Sequence, residues 1–243
     1  MSLRESSVGT SAWLKPGGEL AGISLVPGQH TRKLNRSVYS GSIAAILREA
    51  VVDGKLTAGT PLIERDLAEQ LSVSRGPIRS ALQVLEGEGL VETKSNGRMA
   101  AVGFARHDLA DLMSVRCELE STAIRWGMER SSDVGPVLNA FAAMEAEKAP
   151  SQRLVDLDID FHRKLVEFSS SRFLRESWLA IAPVVHTVIV IGNRTLAGRD
   201  PVSNFARIID SHRKIVDALL TDDPDLAVER LASQFRFTGS MFD

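Results

Sequence analysis

One dipeptide, Asn96-Gly97, constrains this chain more than any other feature. It separates two short β-compatible runs, Leu90–Lys94 and Arg98–Val102. Both residues tolerate positive φ, so Asn-Gly in that setting is the strongest local signal for a hairpin. On either side of it the apolar residues recur at helical spacing. The first helical pattern begins at Ser37 and puts Ile43, Ile46, Leu47, Ala50 and Val51 on one face, stopping at Gly54. After the turn Thr57-Ala58-Gly59-Thr60-Pro61, a short helix carries Leu67, Ala68 and Leu71. Ser72-Val73 makes a tight turn, and Ser74 is placed to cap a third helix that runs to about Gly89.

Helix, helix, tight turn, helix, hairpin is the order of a winged helix-turn-helix. Beyond Gly103-Phe104-Ala105-Arg106-His107, Asp108 is placed to cap a further helix. Helical patterns then cover 109–129, 133–148, 151–169, 172–192, 203–221 and 224–239, with breakers such as Gly135-Pro136, Pro150, Gly198 to Pro201 and Pro224. The expectation is a mainly α chain in four parts. These are a flexible N-terminal arm (1–36), a winged helix-turn-helix with a small β-hairpin wing (37–103), a linker (104–108) and an all-α bundle of about six helices (109–240). A composition with 44% hydrophobic but only 5% aromatic residues suits such a helix-rich fold. The single cysteine, Cys117, excludes a disulfide framework and a Cys-based zinc ribbon. There is no Gly-rich phosphate loop to mark a nucleotide-binding α/β fold. The most apolar stretch, Trp178 to Ile191, is shorter than the ~18 residues a span needs, and Pro183, His186 and Thr187 interrupt it. Met1 to Glu5 lacks the apolar core of a signal peptide. These features predict a cytoplasmic protein that meets no membrane.

The third helix carries the case for nucleic acid. With Ile78 at the centre of its apolar face, Ala81, Leu82 and Leu85 fall beside it, while Arg75, Arg79 and Gln83 form an adjacent stripe at i, i+4, i+8. Arg at the start of such a helix can reach guanine bidentately, and Gln can reach adenine. Ser74-Arg75-Gly76-Pro77 offers backbone amides to a phosphate, with Gly76 permitting close approach. The hairpin tip Asn96-Gly97-Arg98 places a cation where a wing meets the minor groove or phosphates. Residues 1–103 hold 12 Lys/Arg against 10 Asp/Glu, and the remainder 17 against 21, which sets a mildly basic front before an acidic rear. Two arginines four apart are equally the pattern of a solvated face, and winged helices also bind proteins, so spacing alone leaves both readings open.

The run from Leu56 to Leu82, which includes Pro61-Leu62-Ile63-Glu64-Arg65-Asp66-Leu67-Ala68 and Val73-Ser74-Arg75-Gly76-Pro77-Ile78-Arg79, closely resembles the N-terminal domain of GntR-type bacterial transcription regulators. Leu85-Glu86-Gly87-Glu88-Gly89-Leu90-Val91 continues the likeness, which covers about residues 37–102. It implies DNA contacts for Arg65, Ser74, Arg75 and Arg79, with Gly97 as the wing glycine. Gly76 stands where that family often has Thr, so one hydroxyl contact is missing here.

In the rear half, Asp158 and His162 are i, i+4 and share a helix face with Leu157, Phe161 and Leu165 nearby. His212 lies beside Ile208, Ile215 and Leu219 on another helix. Inward carboxylate and imidazoles need each other or a ligand, because unpaired buried charge is costly. An Asp–His hydrogen bond satisfies that need, and so does a divalent ion of the zinc, nickel or manganese kind. His186, Asn193 and Arg194 are further polar residues within an apolar helix. Cys117 reads as a core residue.

Three passages, Val115-Arg116-Cys117-Glu118-Leu119-Glu120, Asp158-Ile159-Asp160-Phe161-His162 and Ser211-His212-Arg213-Lys214-Ile215-Val216, resemble the FCD ligand-binding domain of the FadR branch of those regulators. The resemblance assigns metal ligation to Asp158, His162 and His212, together with a histidine whose place Gln234 takes here. It sets Arg116 toward an effector carboxylate, the alternative being an interhelical salt bridge with a residue such as Glu120; Arg194 and Gln234 are the other expected effector contacts. The function implied is a ligand-responsive repressor that senses a small organic acid. It would act as a homodimer on a palindromic double-stranded operator, since one winged helix reads one half-site. The alternatives are a metal sensor with no organic effector and a metal-dependent hydrolase built on Asp158, His162 and His212. No further carboxylate or His sits at a spacing that nominates a general base for the latter.

Overall fold

The structure is a computed structural model that describes residues 36–197 and 201–238. The arm expected over 1–36 lies, apart from Arg36, outside the described residues. The chain divides between Phe104 and Ala105 into two compact units.

The front unit is built on α1 (Arg36–Val52), α2 (Glu64–Gln70) and α3 (Arg75–Gly87), followed by β1 (Val91–Thr93) and β2 (Met99–Ala101). Its core takes the apolar positions the periodicity marks: Ile43, Leu47 and Val51 from α1, Leu67 from α2, and Ile78, Ala81, Leu82 and Leu85 from α3. Burial of these side chains supplies the main stabilisation, at ~1.5–3 kcal/mol for each large one. A further tie was not read from the sequence. The Arg48 guanidinium of α1 grips the Glu88 carboxylate just past α3 through two bonds of 2.6 and 2.7 Å, and both side chains are at most 10% exposed.

The hairpin closes between the expected runs, through Ser95-Asn96-Gly97, and one local expectation elsewhere changes. Lys94 and Arg98 pair, with Lys94 N–H donating to the Arg98 carbonyl, and Gly97 N–H returns to the Lys94 carbonyl. Gly97 adopts φ +74°. This is a three-residue loop, a turn followed by one left-handed residue; the Asn96 side chain accepts from Arg98 N–H at 3.0 Å. The segment read as a plain turn after α1 also pairs with β2: Ala101 N–H donates to the Thr60 carbonyl, Leu62 N–H to Met99, and Pro61 bridges Ala100. The β1–β2 register is Val91 to Ala101, Glu92 to Ala100 and Thr93 to Met99.

The described residues of the rear unit form six helices: α4 (Arg106–Glu129), α5 (Gly135–Glu145), α6 (Gln152–Phe168), α7 (Arg172–Ala197), α8 (Pro201–Leu219) and α9 (Pro224–Thr238). Its core gathers Ile124, Met144, Phe161, Leu165, Ile215 and Leu231, all essentially without exposed surface. The expected linker 104–108 is mostly helical. Asp108 does not cap α4 from outside; it is the third helical residue, and its carboxylate reaches back to the Ala105 N–H at 2.6 Å. Asp serves both roles, and only geometry separates them. Helix α6 starts as the sequence signals, with Ser151 Oγ accepting from Leu154 N–H at 3.0 Å. Helix α7 runs through Pro183, as the expected 172–192 does, and continues past 192 to Ala197, and Thr187 Oγ donates to the Pro183 carbonyl at 3.0 Å. By length and composition Arg172–Arg194, with a mean hydropathy of 1.5, is long and apolar enough to cross a membrane, contrary to the shorter stretch read above. Here it is a bundle element whose Trp178, Val185 and Val188 are buried.

Close packing also sets a test. Gly127 of α4 lies so near α6 that a methyl there would overlap the Phe168 ring, itself buried. Gly127→Ala is expected to destabilise the bundle by about 1–3 kcal/mol, the usual cost of overpacking, despite alanine's better helix propensity; urea unfolding followed by fluorescence measures it.

Candidate nucleic-acid interface and effector cavity

In the front unit, Arg65, Ser74, Arg75, Gly76, Arg79, Gln83, Gly97 and Arg98 are all exposed. Ser74 occupies the position before α3, but its hydroxyl makes no capping bond to the helix. The first-turn amides, among which Pro77 has no N–H to satisfy, therefore gain nothing from that side chain. A Cβ at Gly76 would meet nothing within 4 Å, so no contact of the described residues requires glycine there. Arg65 bonds the neighbouring Asp66 carboxylate at 2.9 Å. Arg79 is held bidentately by Glu64 of α2, Nε to Oε1 at 2.8 Å and Nη2 to Oε2 at 2.9 Å. That pairing, which the sequence reading missed, lowers the Glu64 carboxyl below its usual range, chiefly through the Arg79 hydrogen bond. Being exposed, the pair is one that a competing anion can displace.

In the rear unit, a cavity of about 270 Å³ is lined by residues of α4, α6, α7, α8 and α9. His162 and His212 converge on it from α6 and α8, with their Nε2 atoms 3.2 Å apart. Asp158 Oδ1 lies 3.0 Å from His212 Nε2. The three residues form the one candidate metal cluster among the described residues. Each imidazole is turned by what its other nitrogen meets. His162 Nδ1 is 2.7 Å from Glu120 Oε2, and His212 Nδ1 is 2.7 Å from the Ile208 carbonyl. Carboxylate and carbonyl oxygens only accept, so both Nδ1 atoms carry a proton, and a ring that is neutral then presents a lone pair at Nε2. The Phe161 ring meets both imidazoles edge-on at 5.2 and 4.9 Å.

Two imidazole nitrogens and a carboxylate oxygen thus face one another at hydrogen-bonding distance, an arrangement that either a proton on His212 Nε2 or a cation completes. Metal–nitrogen bonds of about 2.0–2.1 Å set ligand atoms about 2.8 to 3.4 Å apart on octahedral or tetrahedral ions, and the His162–His212 and Asp158–His212 spacings fall in that range. The electrostatics agree. Burial pushes the Asp158 carboxyl up, but the His212 hydrogen bond and the nearby positive charges outweigh it and hold it well below the usual range. Burial and the Arg116 charge lower His162, against the pull of Glu120 and Asp158, which favours the neutral ring a metal needs.

Arg116 makes a salt bridge with Glu120, within one helix and not between two, and it also lines the cavity. Its Nε donates to Glu120 Oε1 at 2.8 Å, and its guanidinium lies over the Phe235 ring at 5.2 Å while lining the cavity. Gln234 also lines the cavity, but the end of its amide sits 3.2 Å from His212 Nδ1 and 3.1 Å from Ser211 Oγ, and a protonated Nδ1 requires the amide oxygen at that place. It therefore buttresses the back of His212 and does not join the three converging donors. Arg194 is exposed and lines a separate hollow with Gln152 and Asn204, whereas Asn193 reaches both. His186 stands away from the cavity, bonded to Asp156 at 3.0 Å. Cys117 is half-buried, and burial raises its thiol pKa. The sequence reading treated Glu120 only as a partner for Arg116 and missed its bond to His162, 42 residues away on another helix.

An exposed recognition face on a winged helix, joined in one chain to a helical bundle with a built polar cavity, defines a DNA-binding regulator. Residues 40–100 match the family described as bacterial regulatory proteins, gntR family, and residues 111–236 match the FCD domain. The chain belongs to the GntR family of bacterial transcription regulators, in the FadR-type branch that carries an FCD domain. It is 27% identical over 207 residues to the gluconate operon transcriptional repressor of Bacillus licheniformis, covering 83% of this chain and 84% of that one. It is 28% identical over 204 residues to the probable D-xylose utilization operon transcriptional repressor of Paenarthrobacter nicotinovorans, covering 83% and 87%. Among solved structures it resembles a putative GntR regulator from Rhodococcus sp. RHA1, with TM-score 0.56, 22% identity and coverage of 84% and 96%. The Listeria monocytogenes protein Lar gives TM-score 0.64, 19% identity and coverage of 83% and 95%.

Proposed function

We propose that this chain is a repressor that senses a small organic acid in its rear cavity, with a divalent ion of the zinc, nickel or manganese kind held by Asp158, His162 and His212. The observation that carries the reading is the set of three converging ligand atoms at the wall of a cavity that also presents the buried Arg116. A metal bound there supplies a Lewis-acidic anchor for ligand oxygens. Arg116, its Nε committed to Glu120, offers the rest of its fork to a carboxylate. Asn193, Ser233 and Gln234 add neutral hydrogen-bonding groups suited to hydroxyls, as in a sugar acid. The relatives named for the gluconate and D-xylose operons support a carbohydrate-derived ligand. On the DNA side, Arg65, Ser74, Arg75, Gly76, Arg79, Gln83, Gly97 and Arg98 form the contact set, and a homodimer presents two of them to a palindromic operator. The effector acts by binding unequally the DNA-competent and DNA-incompetent arrangements of the dimer.

A thermal-shift screen of carboxylates with and without Zn²⁺, Ni²⁺ or Mn²⁺ tests the reading, since a ligand bound only by the native state raises the melting temperature. The metal-dependent shift is expected in the wild type and is expected to vanish in His162→Ala. A wild type indifferent to all three metals would retire the metal site.

A further inference from the structure

We propose that Glu120 is the positioning residue of this cavity: its carboxylate fixes which nitrogen His162 offers to a metal and where that nitrogen points. The inference rests on the metal reading above. Glu120 has no exposed surface, and it lies outside the three converging donors. Its two oxygens are shared among three helices. Oε2 accepts from His162 Nδ1–H of α6 at 2.7 Å. Oε1 accepts from Arg116 Nε–H of its own helix at 2.8 Å and from Trp178 Nε1–H of α7 at 3.0 Å. A bare carboxylate could not be kept ionised at such depth, yet the Arg116 and His162 interactions overcome the cost of burial. The same carboxylate that orients the imidazole thus anchors the guanidinium that lines the cavity.

Isosteric Gln cannot take its place. An amide has one acceptor oxygen for three donors, and its NH₂ would confront either the His162 Nδ1–H or the Arg116 and Trp178 N–H groups. Either way His162 is released to rotate or change tautomer. Outer partners of metal-bound histidines commonly contribute 10- to 100-fold to affinity.

Co²⁺, followed by its visible absorption band, serves as the probe on the full chain. Glu120→Gln is expected to weaken Co²⁺ binding 10- to 100-fold. Trp178→Phe is the control for general loosening: it removes one bond to the same carboxylate but leaves the His162 bond, and it is expected to stay within about threefold of wild type. If Glu120→Gln does not fold, Glu120→Asp replaces it, because it keeps the charge while withdrawing the acceptor from His162. Wild-type affinity in a folded Glu120 variant would overturn the proposal. So would an equal loss in Trp178→Phe, or failure of both Glu120 variants to fold. A wild type that binds no Co²⁺ would instead bring down the metal reading, and this inference with it.

Discussion

Arg75→Ala combined with Arg79→Ala is expected to abolish preference for the operator while the protein stays folded. The packing of α3 rests on Ile78, Ala81, Leu82 and Leu85, which are fully buried, whereas both arginines are exposed. Removing them therefore leaves no cavity. What is lost is recognition: a good bidentate Arg–guanine contact discriminates against the wrong base by about 10- to 100-fold, so the pair carries on the order of 10² to 10⁴. Binding to random duplex should fall much less, because other cations still meet phosphates. Fluorescence anisotropy on the DNA upstream of the chain's own reading frame, against random competitor at fixed salt, measures both. Circular dichroism melting checks the fold. Undiminished operator preference in the folded double variant would refute the recognition-helix assignment.

The second large effect falls on stability. Arg48→Ala leaves the Glu88 carboxylate, 7% exposed, without its bidentate partner. Breaking a buried pair from one side typically costs about 3–5 kcal/mol, a large share of what a unit this small holds in reserve. Arg48→Ala should therefore lose DNA binding on mild warming although no recognition residue has changed. Calorimetry should show an early transition for the front unit and an unaltered one for the bundle. Replacing both partners, Arg48→Met with Glu88→Leu, should recover most of the loss, since the penalty comes from the orphaned charge. A drop below about 1 kcal/mol in the single variant would show that solvent reaches Glu88.

Where periodicity is local, the sequence was read well. The faces of α1 and α3 are the ones their spacing marks, and Asp158 and His162, one turn apart, share the face turned to His212. Features set by distant partners were harder to read. Thr60 and Leu62 pair with β2 across some forty residues of chain, and beside Gly59 and Pro61 they look like any turn. Pro183 was read as interrupting the apolar run but not the helix, and α7 does continue through it. Arg194 was selected for polarity within an apolar helix, without regard to direction. Asn193 follows Ile189 by four residues and shares its cavity face, while Arg194 is turned a further 100° away. The link from Glu120 to His162 and Trp178 spans 42 and 58 positions, and no pattern in one helix could have announced it.

Because one carboxylate serves donors from three helices, Arg116, Glu120, His162 and Trp178 should respond to substitution as a single unit, with effects that do not add. Retuning this regulator as a biosensor would then call for libraries that hold these four positions constant and vary the cavity wall around them, for example at Met113, Asn193 and Ser233.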